Sequence, residues 1–373
     1  MIDHSLNQYH PIEVTLPGAT LLETIESLGI PQVEVARRTG FTPKHINSII
    51  SGKASITPET ALRLERVLGV SSHFWLNLEQ NYQASVERQR EREMIEQRIV
   101  TYTKWVAQFP IAAMIRLEWL PKTSDQIDRV RSLLDFFGIA SEEQWSWDRV
   151  LGTNTAFRQS QALKADKGSV AAWAWKGYSE AQRLVCSQFS ATKFKAALNE
   201  ARNLSRNPLS ESWPVLRALC ADAGVALLTV PSLPGLHMYG AARWVNPQRA
   251  MIQLSFRGKT NDQFWFSFYH EAGHILLHGK TETFIDSVGA QEHTKEENEA
   301  NAFASDALIP RDQWKSFLAS NASFTGKSIN SFSVKLGIAP GIVVGRLQKE
   351  KLLRYDQFNG LKQHVDLFDL TTH

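Results

Sequence analysis

A mainly α protein with one small α+β module is the fold class this sequence predicts, and three observations predict it. Apolar residues recur at helical spacing, with cap signals, through most of the first 210 residues. Short runs rich in β-branched or aromatic residues cluster between Val225 and Phe256, with Pro and Gly between them. An apolar helix pattern follows, and it carries two histidines four residues apart. These observations divide the chain into a five-helix N-terminal domain over 1–85, a helical middle region over 86–210 and an α+β module over 211–373.

The front of the chain reads as a helix-turn-helix. Leu21, Leu22, Ile25 and Leu28 outline a supporting helix. Gln32 to Thr39 forms the next, with Val35 and Ala36 inward, and Gly40 suits a left-handed turn. Thr42 caps the following helix and Pro43 takes its first position, with Ile46, Ile49 and Ile50 as the apolar face. Thr57–Leu68 and Ser72–Glu87 complete the five. Residues facing a DNA major groove from such a unit are Thr42, Lys44, His45, Asn47 and Ser48, with Lys53 and Arg37 near phosphates.

Gln80 to Arg98 is rich in Gln, Glu and Arg and reads as an exposed, charge-alternating helix joining the modules. Beyond it, Leu133, Leu134, Phe136 and Phe137 precede Gly138, and Trp173 and Trp175 follow later. A helix through Leu216 and Cys220 ends near Gly224. Val225–Val230, His237–Trp244 and Met251–Phe256 are the three expected strands. Tyr239, Arg243 and Arg257 are candidates to stabilise an oxyanion, each with an ordinary packing role as the alternative. Near the C-terminus, Ile329–Leu336, Gly337 and Pro340–Lys349 form a second helix-turn-helix-like pair.

His270-Glu271-Ala272-Gly273-His274 carries the chemistry. Residues four apart on a helix lie about 6 Å apart along its axis on one face, so both imidazoles can reach one metal ion. Glu271 stands one step round the helix, placed to take a proton from water that the metal activates. Asp262 is expected to cap this helix, which runs Gln263 to His278 and is apolar enough to be buried. Buried histidines need partners, and a metal supplies them. His278 lies about 12 Å along the axis from His270, too far to share the ion, and reads as a packing or supporting residue. A third ligand is expected downstream, in the segment Glu296-Glu297-Asn298-Glu299-Ala300-Asn301. Glu297 falls on the edge of the stripe formed by Ala300, Phe303, Ala304, Ala307 and Leu308; that periodicity disfavours Glu299 and leaves Glu296 open.

His-Glu-Ala-Gly-His-Ile-Leu-Leu-His, followed by Glu-Asn-Glu-Ala-Asn-Ala-Phe-Ala and Leu308-Ile309-Pro310, resembles the ImmA/IrrE family of metallopeptidases over roughly residues 211–355. That resemblance implies a zincin-like peptidase domain in which His270, His274 and Glu297 hold Zn2+ and Glu271 is the base. Asn301 would then orient a ligand from behind. Residues 16–85 resemble the Cro/CI-like (XRE) helix-turn-helix family, especially its HigA-type antitoxin branch. Pro17-Gly18, Ser51-Gly52-Lys53 and Phe74-Trp75-Leu76-Asn77-Leu78 carry that likeness.

Charge and composition bound the partners. Residues 1–100 hold ten Lys/Arg against twelve Asp/Glu, a weak electrostatic footprint for DNA, so a dimer is expected to double the contacts. Residues 101–210 hold fifteen against ten and supply the whole chain's net +3. A basic face with aromatics there could hold nucleic acid or an acidic partner, with core packing as the alternative. The polar Met1–Pro11 segment carries no secretory pattern, no apolar run has the length of a membrane span, and two distant cysteines suit a reducing cytoplasm. The expectation is a cytoplasmic homodimer that binds a double-stranded operator and cuts a protein, either a repressor or itself near the Gln80–Arg98 joint. The competing expectation is an antitoxin or repressor that binds a toxin and uses the peptidase fold as a scaffold or sensor.

Overall fold

The computed structural model describes residues 15–151, 166–236, 238–255, 259–279, 284–287, 295–321 and 323–365. The chain forms two compact units, Met1–Thr101 and Tyr102–His373.

The first unit contains α1 (Pro17–Ser27), α2 (Gln32–Thr39), α3 (Pro43–Ile50), α4 (Pro58–Leu68) and α5 (Ser72–Gln97). Its turn follows from local chemistry. Gly40 takes φ 74°, a left-handed value that a side chain would resist. Thr42 Oγ1 accepts the His45 amide at 3.1 Å and so closes the first turn of α3. Leu21, Ile25, Val35, Ala36, Ile46, Ile49, Leu64 and Trp75 make the core. Arg63 stacks over Phe41 and donates to the Thr39 carbonyl, tying α4 to the turn. Two expected helices prove to be one: α5 runs unbroken through the Gln80–Arg98 region, and past Trp75 only Ile95 on it is buried. Pro17 and Gly18 form the first turn of α1. A Cβ at Gly18 would strike the carbonyl of Ile49, so glycine permits the close approach of α1 to α3.

The second unit begins with α6 (Ile99–Val106, spanning the division), α7 (Ile111–Arg116), α8 (Gln126–Phe137), α9 (Trp147–Leu151), α10 (Lys167–Arg183), α11 (Ala191–Leu204) and α12 (Leu209–Asp222). The aromatics of this region pack on one another. Phe137 lies 4.8 Å from Phe109 and 4.3 Å from Trp145, ring centre to ring centre, and Trp105, Phe109 and Phe137 are buried. Their faces are spent on the core, so stacking on nucleic-acid bases is not the use they have here. The two compact units divide near residue 101, where boundaries at 85 and 210 are expected from the sequence. Across residue 210 the packing is shared: Trp173 Nε1 donates to the Val230 carbonyl at 3.0 Å, and Gln253 Nε2 donates to the Trp173 carbonyl at 2.8 Å.

Four strands, β1 (Val225–Thr229), β2 (Met238–Asn246), β3 (Arg249–Leu254) and β4 (Phe284–Ser287), form one sheet in the order β1-β3-β2-β4. β1 runs parallel to β3, while β2 is antiparallel to both β3 and β4. The first three are the expected strands; β4 is an addition. The face carrying Val225, Leu227, Ala242, Ile252 and Leu254 packs on α13 (Asn261–Leu277), and the face carrying Gln253 meets α10. Four more helices, α14 (Lys295–Leu308), α15 (Arg311–Ala319), α16 (Gly326–Leu336) and α17 (Pro340–Lys349), close over α13 and its neighbours.

Asp262 does not cap α13. Thr260 takes the N-cap position, its hydroxyl donating to Gln263 Oε1 at 3.0 Å rather than accepting a backbone amide, and the buried Asp262 carboxylate instead pairs with Lys362 Nζ at 2.8 Å. Charge burial needs such a partner. The expected pair α16–α17 forms with Gly337 at φ 70°, but Ile342, Val343, Val344 and Leu347 of α17 are buried, so that helix faces the core rather than a groove. Among the described residues no single helix is long and apolar enough to cross a membrane.

Candidate metal centre

His270 and His274 sit in the buried middle of α13, each 2% exposed, and Glu297 reaches them from the first turn of α14. Gly273 makes that reach feasible. A Cβ there would lie 3.2 Å from Ala300 Cα and 3.2 Å from Phe303 Cδ1, so the small residue lets the two helices approach closely.

The two Nε2 atoms face each other at 3.0 Å. Glu297 places Oε2 3.3 Å from His270 Nε2 and Oε1 3.6 Å from His274 Nε2. Donor atoms held about 2.0–2.2 Å from one tetrahedral zinc stand about 3.3–3.5 Å apart, so the observed triangle has the size such an ion requires. The donor chemistry also fits. His270 Nδ1 lies 3.2 Å from Asn301 Oδ1, so its N–H donates there and its Nε2 is left as a lone pair. Burial first, then the neighbouring His270 and His278, pull the pKa of His274 down to about 2. Its ring is therefore neutral, as a ligand must be. Two bare ring nitrogens and a carboxylate turned on one point suit a divalent cation. These three residues make up a group of metal-capable side chains among the described residues.

Glu271 is fully buried and points at β2. A Cβ on Gly240 would run into its carboxylate, so the strand is notched where the acid sits. A glycine inside a strand signals a close approach of this kind, and that signal was available in the sequence. Arg243 lies three residues on and therefore on the opposite face. It donates to the Val150 carbonyl at 3.0 Å and stacks on Tyr178, which is a packing role, and burial lowers its pKa. Tyr239 lies beside Gly240 in β2. Arg257 falls outside the described residues.

Behind the triangle, His278 stands one helical turn beyond His274. Its Nδ1 is 3.0 Å from His274 Nδ1, and its Nε2 is 3.3 Å from Glu299 Oε2.

In the first unit, Lys44, Asn47 and Lys53 stand exposed on the α3 side of the turn. Thr42 is engaged as the cap, and His45 tilts against Phe41 at 4.7 Å. Ser48 donates to the Lys44 carbonyl at 2.8 Å. Arg37 pairs with Glu34 at 2.7 Å. The Arg37 guanidinium, with that of Arg38, brings the Glu34 carboxyl down to about 2. At such an exposed position the pair is weak and can open towards a phosphate.

Comparison with known proteins assigns both units. Residues 21–75 match the helix-turn-helix family model, and residues 227–338 match the IrrE N-terminal-like domain model. The chain is 36% identical over 63 residues to the uncharacterized HTH-type transcriptional regulator YddM of Escherichia coli K12, covering 17% of this chain and 67% of that protein. It is 32% identical over 74 residues to virulence-associated protein I of Dichelobacter nodosus, covering 20% and 68%. A solved addiction module antidote protein of a HigA family from Coxiella burnetii is 29% identical, covers 23% of this chain and 95% of its own, and superposes with a TM-score of 0.22. The chain belongs to the XRE-like helix-turn-helix family through its N-terminal unit and carries an IrrE/ImmA-like peptidase domain in its second unit.

Proposed function

We propose that the protein is a cytoplasmic DNA-binding regulator whose second unit is a zinc-dependent endopeptidase acting on a regulatory protein. The observation that carries the reading is the convergence of His270, His274 and Glu297 on one point, with Glu271 one residue along the same helix in its glycine notch.

In this reading the two imidazoles and Glu297 hold Zn2+, which when bound supplies Lewis-acid polarisation of a peptide carbonyl and acidifies water. Glu271 takes the proton of the attacking water and returns it to the departing amine. Its buried setting beside Gly240 fixes the carboxylate for that exchange. A substrate segment adds as a strand along the sheet edge, where main-chain hydrogen bonds hold it extended. That requirement bears on self-cleavage: the Gln80–Arg98 joint is helical in α5 as far as Gln97 and would have to unwind first. A separate regulatory protein, such as a repressor, is the better substrate.

The test is incubation of the zinc-loaded protein with a peptide library, read by mass spectrometry beside a chelated sample. Cuts present in the first and missing from the second support the reading; identical spectra contradict it.

The complete burial of Glu271 also gives the scaffold reading a footing, because a sensor needs no path for substrate. In that reading the first unit is an antitoxin-like repressor that holds a toxin. Unchanged repression and toxin binding after loss of zinc would favour it.

Operator contact is assigned to Lys44, Asn47, Lys53 and Arg37, with Thr42, His45 and Ser48 shaping the start of α3, in a homodimer that doubles each contact. Lys44→Ala and Asn47→Ala are each expected to weaken binding by about 1–3 kcal/mol. Lys53→Ala is expected to lower the salt slope by about 1 without changing sequence preference. Fluorescence anisotropy on a duplex selected from random sequence, titrated with salt, measures all three.

A further inference from the structure

We infer that His278 and Glu299 are positioning residues: they form a directed hydrogen-bond chain that holds His274 in the tautomer presenting Nε2 to the metal. The inference rests on the metal reading above and gives His278 and Glu299 a defined part in it.

Hydrogen-bond direction follows from the ring chemistry. If His270 Nε2 and His274 Nε2 both face the ion, each Nδ1 must carry its proton and needs an acceptor. For His270 that acceptor is Asn301 Oδ1. For His274 it is His278 Nδ1, at 3.0 Å. An imidazole that accepts at Nδ1 carries its proton on Nε2 when neutral. The Nε2 of His278 does meet an acceptor, Glu299 Oε2 at 3.3 Å. Each link therefore has one donor and one acceptor, and the sequence of links ends at a carboxylate.

The backbone explains how His278 gets there. Four residues after His274, a helical residue stands about 6 Å along the axis on the same face, where the two rings can meet. His278 is the C-cap of α13, and its amide still donates to the His274 carbonyl at 3.2 Å, so the residue keeps its place on the helix. Its ring lies 5.0 Å from that of His274, centre to centre, and its side chain is 6% exposed. Glu299 is presented by α14, two residues after Glu297, so one short helix brings both a ligand and the end of the chain. Lys295 Nζ stands 3.6 Å from Glu299 Oε1 on the same helix.

The two ligand histidines are thus supported differently. An amide oxygen backs His270, whereas an imidazole backed by a carboxylate supports His274. A carboxylate behind a ligand imidazole raises its basicity and fixes its ring, and removing such support typically weakens metal binding by about 10–100-fold.

The experiment measures zinc affinity at fixed pH by competition with a chelating dye, on the full chain. Cobalt(II) absorption reports coordination geometry, and melting of the metal-free proteins reports folding. His278→Phe keeps a ring of similar size without nitrogens and is expected to bind zinc about 10–100-fold more weakly. His278→Asn places an amide oxygen near the former Nδ1 and is expected to recover part of the loss. Glu299→Ala is expected to lose less than His278→Phe. Equal affinity in wild type and His278→Phe, with wild type binding zinc, overturns the positioning role and leaves the metal site standing. Weakened binding with no recovery in His278→Asn also overturns it, because ring packing would then be the cause. A wild type that binds neither metal overturns the metal reading itself.

Discussion

Glu271→Gln is expected to leave zinc content at the wild-type level while lowering peptide-bond cleavage by about 10²–10⁴-fold, the usual contribution of a positioned general base. The substitution is nearly isosteric, so the amide can occupy the notch at Gly240 without displacing α13. What it removes is the ability to take a proton. Both ligand histidines lie on the same helix as this residue, and their Nδ1 atoms are held by Asn301 and His278. Zinc by elemental mass spectrometry and cleavage of a mapped peptide, on the same preparations, separate the two effects. Loss of metal together with activity would move Glu271 into the binding set. Full activity without it would assign the proton transfer to another group.

Gly240→Ala tests the same acid from the opposite side of the contact. The new methyl group would overlap the Glu271 carboxylate, and Glu271 Cγ would lie 2.9 Å from it. The overlapping atoms belong to a flexible side chain, so the acid rather than the strand is expected to give way. Cleavage should fall by at least about tenfold, since a misplacement of about 1 Å can cost far more. Zinc stoichiometry and the melting profile should change little. A large fall in melting temperature would mean that the sheet, not the acid, yields. Unchanged cleavage would mean that Glu271 works from another rotamer.

Much of this arrangement was legible in the sequence because local signals and tertiary demands agree there. Thr42, Pro43 and Gly40 each occupy the backbone position their chemistry favours, so the first unit could be placed almost residue by residue. The i, i+4 histidines needed only a helix, and the stripe through Ala300 and Ala304 indicated Glu297 as the residue at its edge. What escaped depends on contacts between distant segments. Asp262 had the composition of a cap, but Lys362, one hundred residues later, claims its carboxylate. The bonds that Trp173 makes with Val230 and Gln253 tie the middle region to the sheet across residue 210, which no local pattern encodes. β4 is only four residues long, too short to show a period of two. The spacing excludes His278 as a third ligand and suggests a packing or supporting part, but its link to Glu299 depends on where α14 lies, which no local pattern encodes.

The metal centre is the claim on which the rest depends, and zinc stoichiometry tests it most directly. Purified wild type and Glu297→Ala are compared by elemental mass spectrometry after reconstitution and desalting. About one zinc per wild-type chain, lost or much weakened in Glu297→Ala, is the expected result for three protein ligands. No zinc in the reconstituted wild type, or one zinc held equally by both proteins, would contradict the His270–His274–Glu297 site.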